Sequence, residues 1–214
     1  MVMQAERELA ATQLLMSHLC HELVSPVGAI NNGIEMIEDF DGNELTPEAV
    51  ALIGQSGKAA AAKLRFYRMA YGSAGTAADL GLGQCGGAAR DLLAADARVT
   101  LSWQAAEAAR LVPGGPQLVL NLVVLLAGAL PRGGQVEVAI EAARGPARLV
   151  ATGTGAKLSE AIQAILKGQE RALDHTTIHA WYCQRLAARL RCPIELEAGA
   201  DLVRVSVAIE RMVE

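Results

Sequence analysis

The sequence predicts an α+β protein: an N-terminal antiparallel helical hairpin followed by a two-layer α/β domain. Three observations carry this prediction. Residues 5 to 39 hold a single proline and a heptad-like apolar seam, Thr46-Pro47 opens a second helical stretch, and beyond residue 80 helix and strand patterns alternate. With 52% hydrophobic residues but only 3% aromatics in 214 positions, Ala, Leu and Val must do most of the packing. That favours close-packed helices over an aromatic-rich sandwich.

In the first helix, Leu15, Leu19, Leu23, Pro26, Ile30, Ile34 and Ile37 follow steps of four, four, three, four, four and three. This is the seam of a bundle helix, and at 1.5 Å per residue the helix is roughly 50 Å long. "DFDGNEL" reads as a loop. Thr46 then supplies an N-cap, with Pro47 at the first helical position. The second helix runs to about Tyr71, with Ile53, Gly57, Ala60, Leu64, Tyr67 and Tyr71 on one stripe. Two long helices joined by a short loop lie antiparallel. One hairpin covers only one face of the seam, so a second copy is expected to complete a homodimeric four-helix bundle. The expected units are residues 1–72, the hairpin, and 79–214, the α/β domain, with "GSAGTAADLGLG" between them.

In the second unit "CGGAARDLLAAD" suits a helix and "RVTLSW" a strand. "GPQLVLNLVVLLAGAL" is a buried helix, and "PRGGQVEVAIEAA" a turn into a strand. "ARLVATGTG" is another strand, followed by the helices "LSEAIQAILKG" and "HAWYCQRLAARL". "CPIELEAGADLVRVSVAIE" reads as a hairpin around Gly199. The expected result is helices on one side of a mixed sheet.

Composition excludes several classes. A net charge of -4 without a long basic run speaks against nucleic acid. The longest apolar run, Leu118 to Leu130, is shorter than the ~18–20 residues of a membrane span and contains Asn121. The N-terminus lacks the basic start and apolar stretch of a secretory signal. Cys20, Cys85, Cys183 and Cys192 form no CxxC pair, so they read as reduced thiols of a cytoplasmic protein.

Opposite the seam, His18, His21, Ser25, Gly28 and Asn32 make a strip of polar or small residues spaced three, four, three and four. A cleared strip around one imidazole lets another protein come close. Pro26 removes the amide that would bond the Glu22 carbonyl and costs about 3 kcal/mol in a regular helix. That cost is easier to understand if the disturbed turn helps to present His21. A neutral imidazole is nucleophilic near pH 7 and can carry a phosphoryl group. Glu22 is placed to accept a hydrogen bond from the ring. Nothing in the strip would hold Mg²⁺, so a partner is expected to bring it. Lys58, Lys63 and Arg65 on the second helix are candidate docking cations for an acidic partner, and Val24 with Val27 a candidate apolar groove. Against this stands an exposed helical histidine beside an incidental proline. A metal site of His18, Cys20 and His21 is disfavoured because neighbouring helical positions point about 100° apart.

The run "HELVSP" resembles the H-box of dimeric sensor histidine kinases. By position the resemblance makes His21 the phosphoacceptor, Glu22 its acidic helper, Ser25 the polar residue that tunes phosphatase activity and Pro26 the kink. The second unit resembles the kinase ATP-binding domain, and its motif positions can be compared. "NLVVLLAGALPRGGQVEV" is similar to the N-box and following strand, with Asn121 and Gly133-Gly134 in place, but the Mg²⁺-binding asparagine falls on Leu125. "VATGTG" resembles the first glycine box, but the adenine-reading aspartate falls on Ala151. In "HTTIHAWYCQRL" Thr177 and His179 stand where glycines of the second box belong, with Trp181 close behind.

An H-box hairpin joined to a nucleotide-dead kinase-like domain is similar to the ChpT-type histidine phosphotransferases of alphaproteobacteria, and "CHELVSPVGAINNGIEMI" is very similar to that family's helix. The resemblance covers essentially the whole chain. It implies a phosphotransferase that binds no cofactor itself. His21 takes phosphate from the receiver domain of a hybrid kinase and passes it to response regulators, CtrA-like and CpdR-like proteins being the usual recipients. Two other readings stay open: an autophosphorylating kinase with an atypical ATP site, and a non-catalytic dimeric scaffold that restrains a kinase.

Overall fold

A computed structural model of the chain describes residues 2–38, 46–76, 80–95, 97–106, 109–141 and 146–210. The expected loop at 39–45 and residues 77–79 of the expected linker lie outside them. Helix α1 (Val2–Glu38) runs without a break through Pro26. Helix α2 (Pro47–Ala70) starts as its cap predicts, the Thr46 hydroxyl accepting from the Ala49 amide at 3.2 Å. The two helices pack along much of their length. Gly33 explains how closely they approach: a Cβ there would stand 2.6 Å from Ile53 Cγ1.

A short 3-10 turn (Ser73–Thr76) leads from α2 towards α3 (Leu82–Leu93). Helix α3 begins earlier than the apolar pattern implied, because the Gln84 side chain takes up the Gly81 amide at 3.2 Å. Then follow β1 (Val99–Ala105), α4 (Gly115–Gly128), β2 (Gly134–Ile140), β3 (Ala147–Thr152), α5 (Glu160–Leu166), α6 (Ile178–Arg189), β4 (Ile194–Gly199) and β5 (Leu202–Val207).

The sheet order is β1-β2-β3-β5-β4, with β1 and β2 parallel and the other pairs antiparallel. Alternate residues Val136 and Val138 of β2, Leu149 and Ala151 of β3, and Val203 and Val205 of β5 are buried, while Gln135, Glu137 and Arg148 face solvent. One face of the sheet is therefore covered by helices, chiefly α4, and the other is open, as a two-layer domain requires. Helix α4 is apolar all round because it is enclosed all round: Leu118, Val119, Leu120, Leu122, Val123 and Leu126 are fully buried. The β4–β5 hairpin turns at Ala200 and Asp201 rather than around Gly199, which still pairs with Leu202. Asp201 takes the positive φ of 58° that the tight turn demands.

The end of α2 is built into the second unit's core. Phe66, Tyr67, Met69 and Ala70 belong to the same apolar cluster as α3, α4 and the sheet. Polar contacts reinforce this seat: Gln117 Nε2 donates to the Gly72 carbonyl at 2.9 Å and Asn121 Nδ2 to the Ala70 carbonyl at 2.9 Å. The helix-end carbonyl of Ala70 is thereby satisfied from α4, and that of Gly72, which also accepts from the Gly75 amide at 3.2 Å, gains a second donor.

Candidate functional site

Helix periodicity places the phosphoacceptor candidate. Pro26 lies on the buried side of α1, while His21, Ser25 and Asn32 are exposed, and a Cβ added at Gly28 would meet open space. Val24 and Val27 flank this strip, 68% and 48% exposed. The expected cleared face around His21 is therefore present.

The neighbours of His21 are arranged differently from expectation. The Glu22 carboxylate does not reach for the imidazole. Among the described residues it is bonded to the Lys63 ammonium at 2.8 Å and the Tyr67 hydroxyl at 3.5 Å. Lys63 is consequently not a free docking cation. Its side chain is only 18% exposed, and Nζ also donates to the Glu22 backbone carbonyl at 2.8 Å. Burial alone would raise the Glu22 carboxyl, but the hydrogen bond and charge of Lys63 outweigh it and hold the group below its ordinary range. Tyr67 is pushed well above the usual phenol value, by burial first and then by the Glu22 charge, so it stays a donor. Arg65 remains on the surface, 3.6 Å from Asp91, and Lys58 is exposed.

His18 also departs from the outward strip. Its ring stands edge to face against His179 of α6, centroids 4.5 Å apart. The Nδ1 of His179 lies 3.0 Å from the Tyr71 hydroxyl. Burial pushes His179 down to about 4, with the His18 charge adding to the effect, and raises Tyr71 far above its ordinary value. The pair therefore meets as neutral imidazole and intact phenol, joined by one hydrogen bond between Nδ1 and the hydroxyl whose direction follows the ring tautomer. The other ring nitrogen, Nε2, is buried and has no hydrogen-bond partner among the described residues. His18 is lowered too, mainly by burial. Further up α1, Arg7 pairs with Glu170 at 2.9 Å and Glu8 with Arg185 at 3.5 Å. The helical stem and the α/β domain thus meet along α1 and α6.

Lys63, Tyr67, Tyr71 and His179 were not recognised in these roles from sequence. A signal existed for the first. The two helices run antiparallel, so residues equidistant in number from about position 43 face each other, as Gly33 does Ile53 and Glu22 does Lys63. No sequence signal placed His179 against His18.

The positions compared with a kinase nucleotide site are occupied by structure. Asn121 is fully buried and holds the Ala70 and Gln117 carbonyls. Leu125 and Ala151 are core residues. The Gly155 amide donates to Asp201 Oδ1 at 2.6 Å, so the "GTG" segment closes on the β4–β5 turn. Where a second glycine box would cradle phosphate, Asp174 accepts from the Thr176 and Thr177 amides and closes the turn that leads into α6. Among the described residues no group of three His, Cys, Asp or Glu side chains gathers into a cation site.

A two-helix stem with an outward histidine, joined to an α/β domain in which the positions compared with a nucleotide site are filled, is the arrangement of a histidine phosphotransfer protein. The family model "Histidine phosphotransferase C-terminal domain" matches residues 83–202. Protein phosphotransferase ChpT of Brucella abortus is 32% identical over 194 residues, covering 88% of this chain and 90% of that one. The solved structure of a bacterial phosphotransferase superposes with a TM-score of 0.77 at 28% identity, over 93% of this chain and 96% of its own. A histidine kinase domain from Erythrobacter litoralis aligns over 95% of this chain and 94% of its own at a TM-score of 0.45 and 15% identity, too loosely to bear on function. The chain belongs to the ChpT-type histidine phosphotransferases.

Proposed function

We propose that His21 is the phosphoryl carrier of a phosphorelay, loaded by the receiver aspartate of a hybrid kinase and unloaded onto response-regulator aspartates of the CtrA-like and CpdR-like kind. The single observation behind this is the exposure of His21 on a stem whose next residue, Glu22, is tied inward. In the loading step the lone pair of a neutral ring nitrogen attacks phosphorus. A phosphorus–nitrogen bond forms, the bond to the aspartate oxygen breaks, and the carboxylate leaves with the electron pair. Delivery is the reverse on a second receiver. Such transfers proceed through a loose transition state, so alignment and a metal ion do most of the work. In this reading the receiver supplies Mg²⁺, and the strip from His21 to Asn32 with Val24 and Val27 is the docking face.

The carrier works as a cytoplasmic homodimer. What supports the dimer is apolar surface on the stem: Leu9, Met16 and Ile34 on α1 are 61%, 56% and 43% exposed, and Val50 and Leu64 on α2 are 49% and 55% exposed. Leu9 and Met16 are seven residues apart, the repeat of a helical seam. Among the described residues no helix is long and apolar enough to cross a membrane.

The test is to mix the chain with a phosphorylated receiver domain and follow acid-labile label. Label should move onto the wild-type chain and not onto a His21→Gln variant. A variant that is labelled equally well refutes the assignment. Labelling of the chain alone by ATP and Mg²⁺ would establish an autokinase in its place.

A further inference from the structure

Proline has no amide hydrogen, so Pro26 leaves the Glu22 carbonyl, one turn earlier, without its helical donor. A backbone carbonyl orphaned in a partly buried turn is costly, and helices with an interior proline need another donor or bend away. Helix α1 runs on through this point from Val2 to Glu38. The donor is on the neighbouring helix. Lys63 Nζ lies 2.8 Å from the Glu22 carbonyl oxygen and 2.8 Å from Glu22 Oε2. An ammonium carries three donors and no acceptor, so it can hold both bonds at once.

We infer that Lys63 is a positioning residue for phosphotransfer: from α2 it supplies the hydrogen bond that Pro26 deletes from α1, and so fixes the turn that carries His21. The inference rests on the reading of His21 as the carrier. Its logic is geometric. Glu22 adjoins His21 in the chain, and two bonds from one cation lock both its backbone and its side chain to α2. The azimuth of the His21 ring about α1 is then set by the hairpin as a whole. In-line transfer demands reacting atoms about 3–3.5 Å apart, and small misplacements are costly. Neither Arg65 nor Tyr67 duplicates the bond to the carbonyl, since Arg65 pairs with Asp91 and Tyr67 meets only the carboxylate. An acidic receiver would thus find Lys63 already engaged, so its removal should weaken alignment and spare docking.

A double-mutant cycle decides the matter. Pro26→Ala restores an amide able to bond the Glu22 carbonyl, which makes the Lys63 bond redundant. Transfer from a phosphorylated receiver is followed over a range of receiver concentrations for wild type, Lys63→Met, Pro26→Ala and the double variant, with urea midpoints alongside. On the wild-type background Lys63→Met should lower the maximal transfer rate at least tenfold, while the half-saturating receiver concentration stays within twofold. On the Pro26→Ala background the same change should cost less than threefold, and its effect on the urea midpoint should shrink in parallel. An unchanged maximal rate with a raised half-saturating concentration would make Lys63 a docking cation and overturn the inference. Equal losses on both backgrounds would overturn it as well, because Lys63 would then act only through the carboxylate. If Lys63→Met fails to fold, Lys63→Gln, shorter and uncharged, repeats the cycle. A wild-type chain that takes no phosphate sinks the carrier reading itself, and the urea cycle, which needs no activity, still decides whether Lys63 serves that carbonyl.

Discussion

Lowering the pH from 7.5 to 5 should loosen the seat of α6 on the stem, and His179 sets the size of the effect. Its imidazole, 8% exposed between His18 and Tyr71, is held at about 4 against 6.5 for a free histidine. Because the folded value is the lower one, the unfolded chain binds the proton first. Stability is therefore fully present above pH 6.5, falls as pH drops through that value, and stops falling below pH 4. For a shift of this size the loss is about 2 kcal/mol at pH 5 and about 3 kcal/mol once both states are protonated. A loss of about 2 kcal/mol moves a urea midpoint by roughly 1 M. His18, lowered mainly by burial, adds a smaller loss of the same sign. The assay is urea unfolding at steps from pH 7.5 to 5, on wild type and on His179→Phe, which keeps a ring against His18 but removes the titrating group. The variant's stability should change less over this range by about 2 kcal/mol, whatever its stability at pH 7.5. If the two proteins lose stability in parallel, or the wild-type midpoint does not move, the burial argument is wrong.

Three further outcomes are expected. His21→Gln should abolish phosphoryl loading in the labelling assay yet leave the urea midpoint nearly unchanged, since an exposed side chain contributes about 0.5 kcal/mol or less. Leu64→Asp, which puts a charge on the exposed apolar stripe, should convert a dimer to a monomer by light scattering; a single-chain mass for the wild type would dispose of the dimer. Asn121→Ala strips the Ala70 carbonyl of a buried donor and should cost about 1–3 kcal/mol, a fall of several degrees in Tm by calorimetry. If that variant melts like wild type, α2 is not anchored through Asn121.

The apolar periods were strong enough to place the helices and strands, since burying one face of a helix or strand leaves a repeat that no tertiary context needs to supply. For the same reason His21, set opposite the seam, was readable as an outward imidazole, and the Thr46-Pro47 start could be located to the residue. The failures are of another kind. Lys63 looked like a surface cation, and His18 like part of an open strip. One is clamped to Glu22 and the other to His179. A charge or ring carries no mark of its partner in the chain, because the partner is chosen by hairpin register and by where a helix over a hundred residues later comes to rest. Asn121 shows the same division: its motif position was visible, but its use as an anchor for α2 depended on which carbonyl lay within 3 Å once the core had closed. Local patterning settled which residues form the stem and which of its faces is bare. Only the packed structure decided what holds that face still, since hydrogen-bond partners are a property of distance and not of sequence order.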